Sequence, residues 1–169
     1  MALIVEDGTG LDDAESYISV DNFKAYHKDR GNEVTLGGSE IEQKLRLATE
    51  YIDLVWGPKS SCLPISETQA LVFPTEDFIT DPVSLPIKLV RATAEYAFFA
   101  ISDLLYYNVD NGSGQGIKRV LEKVGPIETE TEYTGSGLNA VGRSRPIVPK
   151  ADSLMRLLLG RSNQGGVYR

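Results

Sequence analysis

Apolar positions along the chain recur at helical spacing, switch to strand spacing, and return to helical spacing near the end. The clearest run follows Ser39. Ile41, Leu45, Ala48, Ile52 and Val55 recur every three or four residues, and Leu47, Tyr51 and Leu54 widen the stripe. Ser39 and Glu42 form an S-x-x-E capping box at its start, and Gly57-Pro58 stops it. A shorter helix is predicted upstream over 20–30. Ser19 is its N-cap, Val20, Phe23 and Tyr26 give it a narrow apolar edge, and Gly31 is the left-handed stop. Pro86 suits the first turn of a third helix. In it Ile87, Val90, Ala94, Ala97, Ile101 and Leu104 form a seam that a neighbouring helix could approach closely over the alanines. Between these helices, 57–85 holds Pro58, Pro64, Pro74 and Pro82, with "SETQAL" as a candidate short helix. So long an irregular stretch is uncommon in a compact domain and usually has a contact role.

After the turn-rich "NVDNGSGQG" the period becomes two. "IKRVLEKV" and "IETETEY" flank Gly125-Pro126 and predict a β-hairpin. Centring the turn there opposes Lys123 to Glu128 and Arg119 to Glu132 on one face, and Val124 to Ile127 and Val120 to Thr131 on the other. Opposite charges facing across a ladder favour that register by ~0.2–1 kcal/mol a pair. The proline asks for a turn wider than two residues. Glycine-rich "TGSGLNAVGRSRP" follows, then a short helix around "ADSLMRLLL" ending at Gly160, then "RSNQGGVYR". The fold class expected is mainly α: a small helical bundle with a β-hairpin and extended N- and C-terminal arms. Residues 1–133 would form the core, with an N-terminal arm over 1–18, and 134–169 a basic flexible arm carrying the short helix.

Charge sharpens this division. The chain carries −7 overall, but 1–110 holds 8 basic and 19 acidic residues, whereas 111–169 holds 9 basic and 5 acidic. Such a balance disfavours a general nucleic-acid binder and suits head-to-tail association or docking on an acidic partner. One cysteine, Cys62, excludes an internal disulfide. The opening "MALIVEDG" does not read as a signal peptide, and the longest apolar run, "YAFFAI", is too short for a membrane span.

Candidate chemistry is sparse. "VEDGTGLDDAESYISV", residues 5–20, holds five carboxylates, yet Leu11 interrupts the alternate oxygen ligands of a calcium loop and no glutamate falls at its twelfth position. "NGSGQGIKR" has a helix before it and a strand after it, the reverse of a phosphate loop. The single histidine, His27, is expected at a charged helix surface without a catalytic partner. Cys62 carries no catalytic signature. Glu128, Glu130 and Glu132 share a strand face that reads as solvated and paired with Lys123 and Arg119. No catalytic residue, no metal ligand and no cofactor is expected; the chain does not read as an enzyme.

The opening stretch resembles instead that of a phage family of head–tail connector adaptors, many of whose members carry the label DnaT-like single-stranded-DNA-binding protein. The resemblance rests on Glu6 to Gly10, on Ala14 to Val20, and on Tyr26 with Arg30-Gly31. "ATEYID", "TQALVFP" at Thr68 to Pro74 and the "EKVGPIETE" hairpin follow in the family's order, so it covers roughly residues 3–133. It implies a homo-oligomeric ring, of twelve copies as is usual for such rings, beneath the portal protein at the neck of a virion made in a host cytoplasm. The ring would extend the channel for genomic double-stranded DNA and meet tail, stopper or tail-terminator proteins below. On that reading Glu6, Asp7, Asp12, Asp13 and Glu15 form a strap on a neighbouring subunit. Arg161, Val167, Tyr168 and Arg169 of the C-terminal arm enter the portal. Arg119, Lys123, Glu128 and Glu132 make the hairpin contacts. A single-stranded-DNA-binding replication accessory is the alternative. It would need aromatic platforms beside basic residues, for which Tyr106 and Tyr107 with Lys118 and Arg119 are the candidates.

Overall fold

The computed structural model describes residues 3–60, 63–76, 84–102, 105–106, 119–124, 127–132 and 146–160, with backbone alone for 119–124 and 127–132. The chain divides into two compact units, Met1–Leu105 with Ile147–Arg169, and Tyr106–Pro146. It is mainly helical, with four α-helices among the described residues: α1 (Val20–Lys28), α2 (Gly38–Trp56), α3 (Ile87–Ser102) and α4 (Pro149–Leu159).

Ser19 caps α1 as its sequence predicts: its Oγ accepts from the Asn22 N–H at 3.2 Å, and Gly31 beyond the helix has φ +77°. The start of α2 departs from the expected box. Its N-cap is Gly37, whose N–H donates to the Glu40 carboxylate at 3.1 Å, while Glu42 turns toward Arg46 one helical turn on, at 3.6 Å. An acid three residues after Gly37 secures that N–H, so the helix starts two residues earlier than a Ser39 cap would allow. Ile41, Leu45, Ala48, Tyr51 and Ile52 are fully buried, whereas Leu54 is 60% exposed. A short 3₁₀ turn, Gly57–Lys59, closes the helix with Pro58. "SETQAL" forms turns and bends, not a helix.

α3 lies centrally and packs on α1, α2 and α4. Its buried arc is therefore wider than one seam. Leu89, Ala92, Thr93, Ala94, Tyr96, Ala97 and Ala100 are buried, and the expected seam residue Ile87 is 60% exposed at the helix start. Leu104 lies outside the described residues. Four alanines on this arc remove side-chain bulk, so α3 can be approached from more than one side.

α4, expected as a short helix on a C-terminal arm over 134–169, packs into the helical core. Ala151, Met155 and Leu158 are buried in the same core as Leu45 and Tyr96, and the Lys88 Nζ donates to the Leu157 carbonyl at 3.4 Å. Burying two such apolar side chains contributes roughly 1.5–3 kcal/mol each, enough to hold a short helix that would be marginal alone. In the second unit, β1 (Arg119–Val124) and β2 (Ile127–Glu132) pair antiparallel, with Arg119 opposite Glu132, Lys123 opposite Glu128 and Val124 opposite Ile127. The expected turn at Gly125-Pro126 lies outside the described residues.

Candidate functional site

The acidic opening stretch is folded onto its own chain. Val5 and Ser16 form an isolated parallel bridge, with the Glu6 N–H on the Ser16 carbonyl at 2.9 Å and the Glu15 N–H on the Ile4 carbonyl at 2.8 Å. Inside that loop the Glu6 side chain is 3% exposed. Its carboxylate accepts from the backbone N–H groups of Gly8 at 2.9 Å, Gly10 at 2.8 Å and Leu11 at 2.9 Å. Three N–H donors converging on one anion satisfy a buried carboxylate that would otherwise be costly. The loop needs glycine to present them: Gly8 has φ +106° and a side chain there would meet the Ser84 backbone at 2.9 Å, and Gly10 has φ +78°. The Leu11 carbonyl in turn takes the Ala70 N–H at 2.9 Å.

Glu6 is thus spent within the chain and presents nothing to a neighbour. Glu15, half-exposed, pairs with Arg46 of α2 at 2.8 Å, which holds the carboxyl below the usual carboxylate range. Asp7 is exposed and accepts from the Thr9 hydroxyl at 2.6 Å and the Thr9 N–H at 2.9 Å, which lowers its pKa. Asp12 and Asp13 are exposed and make no ion pair among the described residues. Of the five acids expected on a strap, these three face solvent from a loop whose shape Glu6 fixes.

Two buried tyrosines tie the elements together, and neither stands out by spacing. Tyr17 Oη donates to Asp53 Oδ1 at 2.5 Å and accepts from the Phe73 N–H at 3.0 Å. Asp53 Oδ2 takes the Val72 N–H at 3.2 Å, and burial pushes the Asp53 carboxyl up to about 6. Tyr96 Oη donates to Asp152 Oδ1 at 2.5 Å and accepts from the Trp56 indole N–H at 2.9 Å. Burial and the adjoining Asp152 raise the Tyr96 phenol well above its ordinary range.

On the surface of α1, Tyr26 Oη donates to Glu95 Oε1 at 2.6 Å, and Lys150 of α4 pairs with the same carboxylate. The Arg30 guanidinium lies over the Tyr26 ring, 3.6 Å from its centroid, and donates to the Tyr26 carbonyl at 2.7 Å. Beside it, an open groove of about 450 Å³ is lined by Lys24, Lys28, Gly31, Asn32, Glu33 and Val34. Lys24 and Lys28 make no ion pair among the described residues. Against expectation, His27 is fully buried between α1 and α3. The sequence offered a faint signal, because His27 follows Phe23 by one helical turn and so shares its buried side.

Other expected site residues cannot be assembled into one place. Arg161, Val167, Tyr168, Arg169, Tyr107 and Lys118 lie outside the described residues, as do the side chains of Arg119, Lys123, Glu128 and Glu132. Tyr106 is exposed. Among the described residues no group of three His, Cys, Asp or Glu side chains could hold a metal ion.

A family model described as "Putative DnaT-like ssDNA binding protein" matches residues 1–169. The chain belongs to this DnaT-like family. No curated protein and no solved structure matches it. The family match spans both units, so it covers the folded opening loop, the helical core and the strand pair alike.

Proposed function

We propose that this DnaT-like chain is a structural subunit of a bacteriophage head–tail connector, assembled as a ring on the portal and extending the DNA channel. The observation that supports this best is the distribution of charge. Residues 1–110 carry 19 acids against 8 bases, and Arg46 is engaged by Glu15 and Glu42. A body of that sign lets DNA pass without adhering, and closed rings repeat one contact between two unlike surfaces. Asp7, Asp12 and Asp13 supply one surface; the basic segment after Gly160, with Arg161, Val167, Tyr168 and Arg169, reaches the portal. Mixing the purified chain with portal and imaging by electron microscopy tests this: stacked rings are expected, and persistent monomers with bare portals overturn it. Deleting residues 161–169 abolishes docking and leaves helix content unchanged, because α4 ends at Leu159.

The family's description favours a second reading, single-stranded DNA binding. In this case Lys24 and Lys28 along the groove of α1, with Arg30 on Tyr26, offer a basic surface beside an aromatic ring. Binding of a labelled oligonucleotide that weakens steeply with salt, and weakens further in a Lys24→Gln/Lys28→Gln double variant, selects this reading. Absence of binding at low salt removes it.

A further inference from the structure

Helix α1 is nine residues long and anchors only two fully buried side chains, Phe23 and His27. One of these two can acquire a charge. The His27 ring stacks on Phe98 of α3 with centroids 4.4 Å apart, and meets the edges of Phe23 at 4.8 Å and Tyr26 at 5.0 Å. Its Nε2 lies 3.1 Å from the Ala94 carbonyl, so the neutral tautomer that fits donates from Nε2. Nδ1 is then an acceptor, buried, with no hydrogen-bond partner. A neutral imidazole tolerates that position at modest cost. A protonated ring does not: it adds a second N–H donor at Nδ1 with nothing to receive it, inside a wall of aromatic carbon.

We propose that His27 makes α1 an acid-released latch, docked on α3 while the imidazole is neutral and undocked once it takes up a proton. Charges around the ring do not offset this. Glu95 of α3 favours the proton, but its carboxylate is already shared by Tyr26 Oη and Lys150 of α4, and Lys150 and Arg30, in the turn after α1, both oppose it. α2 also touches α1, and none of its charged side chains is among the leading influences on the ring. Burial, the largest influence, lowers the imidazole pKa from its ordinary 6.5. The sign follows: a lowered folded-state pKa gives docking its full strength above 6.5, and that strength is lost as pH falls below 6.5 toward the docked-state value.

Release is local because the rest of the core does not depend on His27. α2, α3 and α4 keep the Trp56–Tyr96–Asp152 hydrogen-bond chain and their own buried faces. Undocking would bare Phe23, Phe98 and the facing side of α3 to water.

Two measurements on the full chain test the latch. The chain has one histidine, so its imidazole NMR signal is unambiguous. A midpoint below 6.5 is expected, and a midpoint at or above 6.5 overturns the proposal. Hydrogen exchange, corrected for intrinsic rates, should show the amides of 23–28 losing about tenfold protection relative to those of 45–56 between pH 7 and 5. Fluorescence of Trp56, the sole tryptophan, should stay unchanged over the same range. His27→Phe, which keeps the ring contacts, should abolish the pH dependence. Equal loss of protection in α1 and α2, or the same pH dependence in His27→Phe, sinks the latch. Should His27→Phe fail to fold, the wild-type titration and exchange decide alone.

Discussion

Two tyrosine–aspartate pairs hold this molecule, and they differ in what surrounds them. Tyr96–Asp152 joins three helices: the hydroxyl on α3 donates to the carboxylate on α4 and accepts from the indole on α2. Tyr17–Asp53 has the same chemistry but joins one helix to two irregular segments, the opening loop and the backbone at 72–73. Helices bring their own internal hydrogen bonds and apolar stripes to the first junction, so the pair there fixes the relative placement of elements that already exist. Irregular backbone brings neither. At the second junction the polar contacts themselves set the loop conformation, with Glu6 and its three N–H donors completing the job. A chain expected to have arms at both ends therefore secures its N-terminal segment by polar clasps and α4 mainly by apolar burial.

The comparison can be broken at several points. Tyr96→Phe leaves the Trp56 N–H without that acceptor and Asp152 without that donor in a buried site, and should cost about 3 kcal/mol, read as a lower denaturant midpoint with unchanged slope. Tyr17→Phe should cost less, about 1.5 kcal/mol, because Asp53 is less deeply placed and keeps the Val72 N–H. Its clearer effect is local: limited proteolysis within 63–76 should accelerate, whereas Tyr96→Phe should not single out that segment. Ser19→Ala, which removes a cap touching neither clasp, should cost about 1 kcal/mol.

A pH titration separates the pairs further. Asp53 has a folded-state value of about 6 against an ordinary 3.8, so the folded state holds its proton more tightly than the unfolded chain. The stability this provides is complete below pH 3.8 and lost as pH rises through about 6. Asp53→Asn should remove that component, measured as the change in unfolding midpoint between pH 4 and 7. An unchanged profile would show that Asp53 titrates normally. His27 acts with the opposite sign over the upper part of this range, so the Asp53→Asn profile should rise more steeply with pH than the wild type.

Apolar periodicity was sufficient to place α1, α2 and α3 and to name Ile41, Leu45, Ala48 and Ile52 as core, because those side chains face inward for any neighbour α2 could have. Ser19 and Gly31 marked the ends of α1 for equally local reasons. Tertiary contact decided the rest. Whether Ile87 or Leu89 pointed inward depended on α3 being covered from several sides. Whether α4 was arm or core depended on α3 offering it a face. Whether Glu6 and His27 met solvent depended on backbone and rings brought from distant positions. Spacing along one element reports which residues share a side; only the neighbour that arrives there determines whether that side is buried, paired or left open to water.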